Sequence, residues 1–247
     1  MTQHTEGHRS SHRPQLTLPR QAHTAEGPHD QTGMYLMHHA LRRDFVSFLA
    51  AVQNTPIAEQ DVWTALEQRW LLMADVLHHH HSAEDDELWP LLLEHAERSG
   101  SEDDLRVLAE MEAEHERIDP ALATCREAFA AMSEHPCADH RNALQIRLIA
   151  AHEGLLEHLA HEEGRALPML PRTLSEEENR RFEKAVEKRY PVRMIPFLLP
   201  WVMQEVPEEA RARLLASTPP GYGLLLRIFR GRYLRRERRA FRYASAD

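Results

Sequence analysis

His80-His81-Ser82-Ala83-Glu84-Asp85, with Pro90 ten residues after His80, is matched by His158-Leu159-Ala160-His161-Glu162-Glu163, with Pro168 ten residues after His158. Both read H-x-x-x-E-[D/E]-x-x-x-x-P, and an apolar pair follows each, Leu91-Leu92 and Met169-Leu170. A further histidine precedes each copy at nearly the same distance: His38 lies 42 residues before His80, and His115 lies 43 before His158. The chain is therefore an internal repeat of one helical hairpin, whose first helix supplies a His and whose second supplies a His and a Glu.

Working outward from the repeat, residues 34 to 171 carry apolar residues at three and four spacing, as in Leu41, Phe45, Phe48, Leu49 and Val52, the mark of amphipathic helices. Breaks at Asn54-Thr55-Pro56, Ser99-Gly100-Ser101 and His135-Pro136 divide the stretch into four helices. Ser101 with Asp104 reads as an N-cap. Short connections make neighbours antiparallel, so the expected fold is all-α: an up-down four-helix bundle of two αα-hairpins, with extra C-terminal helices.

Composition agrees. With only 9 glycines and 6% aromatics, a large sheet is disfavoured. Cys125 and Cys137 form no CxxC pair, so free thiols in a reducing compartment are expected and thiolate ligation is not. Cys125, Trp63 and Trp70 are expected in the core. Residues 1–32 hold no apolar run, and the longest elsewhere, Met194 to Met203, is interrupted by Pro196 and Pro200, so a soluble, cytoplasmic protein is expected. The net charge of −9 disfavours nucleic acid as a partner.

The domain plan follows: a disordered leader over 1–32, in which His4, His8 and His12 carry little weight, the bundle over 33–171, and a helical extension over 172–247. In the extension, Ser175 and Glu178 form a capping box, and its Arg-rich end runs from Arg227 to Arg242 with Phe229, Tyr233 and Phe241 between the arginines. That end is expected to pack its aromatics on the bundle, with a protein partner or an anionic surface as the alternative use of its charge.

Histidine is in excess at 18 residues and is the commonest metal ligand. Residues four apart share a helix face about 6 Å apart along the axis, so His80 with Glu84 and His158 with Glu162 reach one cluster. His38 and His115 add imidazoles from the other two helices. Six such ligands exceed what one tetrahedral zinc takes, and suit two octahedral irons bridged by both carboxylates. Manganese accepts the same donors and is the lesser alternative. The run His78 to His81 leaves the register open between His80 and His81, and repeat alignment selects His80. His39 and Glu163 are alternates for His38 and Glu162, and His161 and His152 are candidates for orienting the ligands.

These motifs resemble the HHE cation-binding domain of the hemerythrin family over residues 34 to 171. The E-x-x-H pairing of ferritin-like bundles does not occur in matching pairs. The resemblance places the metal ligands at His38, His80, Glu84, His115, His158 and Glu162 and implies a non-haem di-iron centre with an oxo or hydroxo bridge. It further implies small ligands such as O2, NO or peroxide, with binding or sensing as the expected function. A di-iron oxidoreductase acting on O2, peroxide or NO, or an iron-handling protein, are the alternatives. One position departs from the pattern: the oxygen carriers place a second His four residues after the third-helix His, and here that residue is Asp119. Loss of an imidazole there alters the charge and open coordination of the site and argues against simple reversible O2 carriage, unless Asp119 itself coordinates.

Overall fold

The computed structural model describes residues 15–217 and 221–244. The protein is all-α, 81% helical and without strands among the described residues. Helix α1 spans Thr32–Asn54 and α2 spans Gln60–Ala83; α2 runs through a π turn, Glu84–Leu88, into α3, Trp89–Ser99. After Gly100, whose left-handed backbone (φ 68°) ends α3, α4 covers Glu102–Glu134 and α5 covers Ala138–His161. The side chain of Ser101 accepts the amide of Asp104, as the sequence predicts. A second π turn, Glu162–Ala166, follows α5 and leads to the short α6, Met169–Thr173. Helix α4 packs on both α5 and α2, and α1 packs on α5.

The two π turns occupy the same place in the two repeats. Each begins at the motif's Glu, whose carbonyl accepts from five residues on: Trp89 for Glu84 and Leu167 for Glu162, at 2.9 Å. The cause lies just downstream. Pro90 and Pro168 have no N–H, and in an unbroken α-helix each ring meets the carbonyl four residues back. A widened turn absorbs that conflict, and such turns concentrate at functional sites.

Apolar side chains form two clusters. One holds Phe45, Phe48, Trp63, Trp70, Cys125 and Phe129; the other holds Tyr35, Leu88, Trp89, Met111 and Leu167. A fully buried side chain of this size contributes about 1.5–3 kcal/mol, so the two clusters dominate stability. The histidines and glutamates of the repeat lie between them along α1, α2, α4 and α5, as a buried polar layer.

The extension continues with α7, Glu176–Arg189, α8, Ile195–Val202, α9, Glu208–Ser217, and α10, Tyr222–Ala240. The capping box of Ser175 and Glu178 is present. Helix α10 packs on α2 and α8, burying Tyr233, Glu237 and Ala240 while its arginines stay exposed. A buried ionic network ties it down: Arg69 meets Glu237 at 2.6 Å and Asp44 at 2.6 Å, Trp201 Nε1 donates to Asp44 at 2.8 Å, and Arg69 lies 4.7 Å over the Phe197 ring. No described helix is long and apolar enough to cross a membrane.

The leader expected to be disordered differs from that expectation where it is described. Residues 15–31 form no helix, but Leu16, Leu18 and Ala25 are buried, and Gln31 Nε2 donates to Leu167 O at 3.1 Å. Gly27 passes so close to Pro171 that an added Cβ would sit 2.1 Å from the proline's own. A few apolar residues and side-chain-to-backbone bonds hold the segment on the bundle, and neither shows as periodicity. His4, His8 and His12 lie outside the described residues.

Candidate metal centre

Helices α1, α2, α4 and α5 each deliver at least one imidazole to the polar layer. His38, on α1, has its Nε2 3.1 Å from Glu162 Oε2 and 3.4 Å from His80 Nε2. His80 Nε2 lies 3.2 Å from Glu84 Oε1. On the second hairpin, His115 Nε2 lies 3.5 Å from the other oxygen of Glu84, Oε2, and 3.3 Å from His158 Nε2, which is 3.7 Å from the same Glu162 Oε2 that His38 faces. Glu84 and Glu162 therefore each stand between an imidazole of one hairpin and an imidazole of the other. The donor atoms of His38, His80, Glu84 and Glu162 all fall within 4.8 Å of one another, and a second group, within the same limit, is His81, His115 and His158.

The family model described as the hemerythrin HHE cation binding domain matches residues 30–170. The chain belongs to the hemerythrin family. No curated protein and no solved structure matches it. Domains of this family hold metal cations, usually iron, and the interior of this hemerythrin domain can be tested against that chemistry directly.

All four oxygens of Glu84 and Glu162 are buried, and imidazole nitrogens are the polar groups that face them; both ring nitrogens of His81 are buried without a hydrogen-bond partner. An ionised carboxylate costs several kcal/mol to bury, so this pair can be ionised together only with cations beside it. The imidazole tautomers agree. His115 Nδ1 donates to Asp85 at 2.7 Å and His158 Nδ1 to Glu114 at 2.9 Å, which leaves the lone pairs of both Nε2 atoms facing each other. His38 Nδ1 donates to Glu163 at 2.9 Å, and Arg42 grips the same carboxylate through two nitrogens at 2.7 and 2.9 Å. Such carboxylate partners fix the ring and raise ligand basicity in metal sites. The donor set fits a pair of cations.

Charge in the metal-free protein is distributed unevenly. Burial and the neighbouring Glu162 raise Glu84 well above the ordinary carboxylate range. Burial also acts to raise Glu162, but His38 and His158 outweigh it and pull that carboxyl down to about 2. For His38 burial opposes protonation, and Glu162 and Glu163 overcome it to hold the imidazole up to about 9. His80 and His81 are pushed well below the usual histidine value, first by burial and then by nearby imidazoles.

All six sequence-predicted residues, His38, His80, Glu84, His115, His158 and Glu162, converge on this layer. His81, which repeat alignment ranks behind His80, joins it rather than replacing it: its ring stacks on His115 at 4.0 Å and meets His158 edge-on at 5.4 Å. Asp119 is outside both donor groups and lies 3.5 Å from His81 Nδ1. The other alternates take different places. Glu163 backs His38, while His161 donates to Glu114 at 2.8 Å. His152 stacks on Phe45, and His39 packs by the backbone of Glu205 and Pro19. Sequence reasoning did not assign Asp85 and Glu114 as orienting carboxylates. Asp85 was visible as the second acid of the motif; Glu114 had no signal beyond its position before His115.

Proposed function

We propose that this chain is a non-haem di-iron protein whose centre takes up O2 or NO. The observation that carries the reading is the pair of buried carboxylates, Glu84 and Glu162, set between two groups of imidazoles. Glu84 and Glu162 would supply the carboxylate ligands. His38 and His80 would hold one end, and His81, His115 and His158 the other. Bound there, a pair of irons supplies the redox capacity that lets a diatomic ligand be taken up.

The chain's own residues do the rest. Glu163, Asp85 and Glu114 hold the Nδ1 protons of His38, His115 and His158, so that each Nε2 is presented as a donor. The apolar clusters above and below the layer exclude water and strengthen the electrostatic attraction for a cation. The two ends are unequal: three imidazoles serve one and two serve the other. The end of His38 and His80 would thus receive fewer donors from the protein.

The test is metal content and the ultraviolet-visible spectrum of protein purified from iron-supplied cells, with Glu84→Ala as control. A pair of irons per chain is expected, with a charge-transfer absorption that changes on exposure to O2 or NO and is missing from the variant. Protein that carries no iron, or a spectrum indifferent to both gases, would sink the reading.

A further inference from the structure

We infer that the space between the bundle and the C-terminal helices binds a hydrophobic small molecule whose outward end is neutral or an amine. A cavity of about 620 Å³ lies there. Its bundle wall includes Met37 and Leu170, and its opposite wall is built by the extension, through Phe182 and Val186 of α7 and Leu198 and Val202 of α8. At its inner end it is lined by His80, Ala83 and Glu84. None of His81, His115 and His158 lines it, so it opens onto the end of the centre that has two imidazoles.

Size is the first argument. A water molecule takes about 30 Å³ of liquid volume, and O2 or NO needs little more, so a diatomic ligand leaves most of this cavity unused. The volume falls within the ~300–1,000 Å³ typical of small-molecule sites. Lining is the second. Water in such a space needs two to four polar partners per molecule, and the aliphatic and aromatic walls offer few, so a hydrocarbon body is the better occupant. Charge is the third. The polar residues that line it include the carboxylates Asp30, Glu183 and Glu187, and no Lys or Arg is among the described lining residues. An anionic group held at that acidic margin has no counter-ion among the described lining residues, whereas a neutral group costs little and an ammonium gains a partner.

That this molecule approaches a metal rests on the di-iron reading; that the cavity binds it does not. The experiment is a fluorescence titration with two probes of one skeleton, neutral N-phenyl-1-naphthylamine and anionic 8-anilinonaphthalene-1-sulfonate, on iron-free and iron-loaded protein, with iron content measured on the same samples. The expected result is one neutral probe per chain, bound at least about tenfold more tightly than the sulfonate. Val186→Trp fills the cavity and should weaken the neutral probe at least about tenfold. Glu183→Lys with Glu187→Lys, both exposed positions, should narrow or reverse the preference between the probes. Equal affinity for both probes in the unaltered protein overturns the inference. So does a Val186→Trp protein with unchanged helical circular dichroism that binds as before; should that variant not fold, the double-lysine protein decides alone. Probe binding by protein that takes up no iron would leave the cavity proposal standing and remove the di-iron one.

Discussion

At the residue scale, the second acid of each repeat serves the other repeat. Asp85, in the first hairpin, holds Nδ1 of His115 in the second at 2.7 Å, and Glu163, in the second, holds Nδ1 of His38 in the first at 2.9 Å. Reciprocity of this kind follows from an approximate twofold relation between hairpins. His81 breaks the symmetry, because its counterpart in the second repeat is Leu159, a core residue. His81 is 1% exposed, has no hydrogen-bond partner on either nitrogen, and stands beside Asp119, the position at which the oxygen carriers of this family place their second third-helix His. In the proposed centre His81, from α2, would supply the imidazole that position 119 does not, with Asp119 beside its Nδ1. His81→Leu should leave the fold intact and weaken one of the two bound irons by more than about tenfold, while Asp119→Asn should weaken it less. Stepwise chelation followed by metal analysis measures this, and two irons of unchanged affinity in His81→Leu would show that His81 is only packed there.

At the element scale, the extension is fastened by burial of charge. Arg69 is 2% exposed and is shared between Asp44 on α1 and Glu237 on α10, with Phe197 and Phe241 stacked near its guanidinium. Removing one member of a buried network leaves the others uncompensated, typically at about 3–5 kcal/mol. Because Asp44 remains to pair with Arg69, Glu237→Ala should cost about 3 kcal/mol, read as a lower urea midpoint. A loss below about 0.5 kcal/mol would mean that α10 rests on its apolar contacts alone. The Arg-rich face of the same helix points away from this anchor, since Tyr233, Glu237 and Ala240 are its buried residues.

At the scale of the whole molecule, the polar layer makes folding and metal uptake one equilibrium. A chain that buries Glu84, Glu162 and five imidazoles between two apolar clusters gives up stability that bound cations return. A ligand at a hundredfold excess over its Kd adds about 2.7 kcal/mol, and for a chain of this size each kcal/mol moves Tm by about 2–4 °C. Iron loading should therefore raise Tm by roughly 5–10 °C, and a chelator should reverse the gain. Calorimetry that finds the same Tm with and without iron would argue that the layer holds no cation.

The sequence by itself determined the helical class, the position of the polar layer and the six residues that converge on it, because a repeat of His and Glu at helical spacing leaves one face for each side chain. The capping residues Ser101 and Ser175 were legible for the same reason: their signals are local. Three things were decided only by tertiary structure. Whether His80 or His81 faces the centre depends on how α2 turns against α4 and α5, and at the layer both face it, on different ends. The packing of residues 15–31 depends on a few buried side chains and bonds to distant carbonyls, none of which forms a period. The cavity beside His80 and Glu84 exists because α7 and α8 return over the bundle, and a void between distant segments leaves no trace in the local pattern of either one.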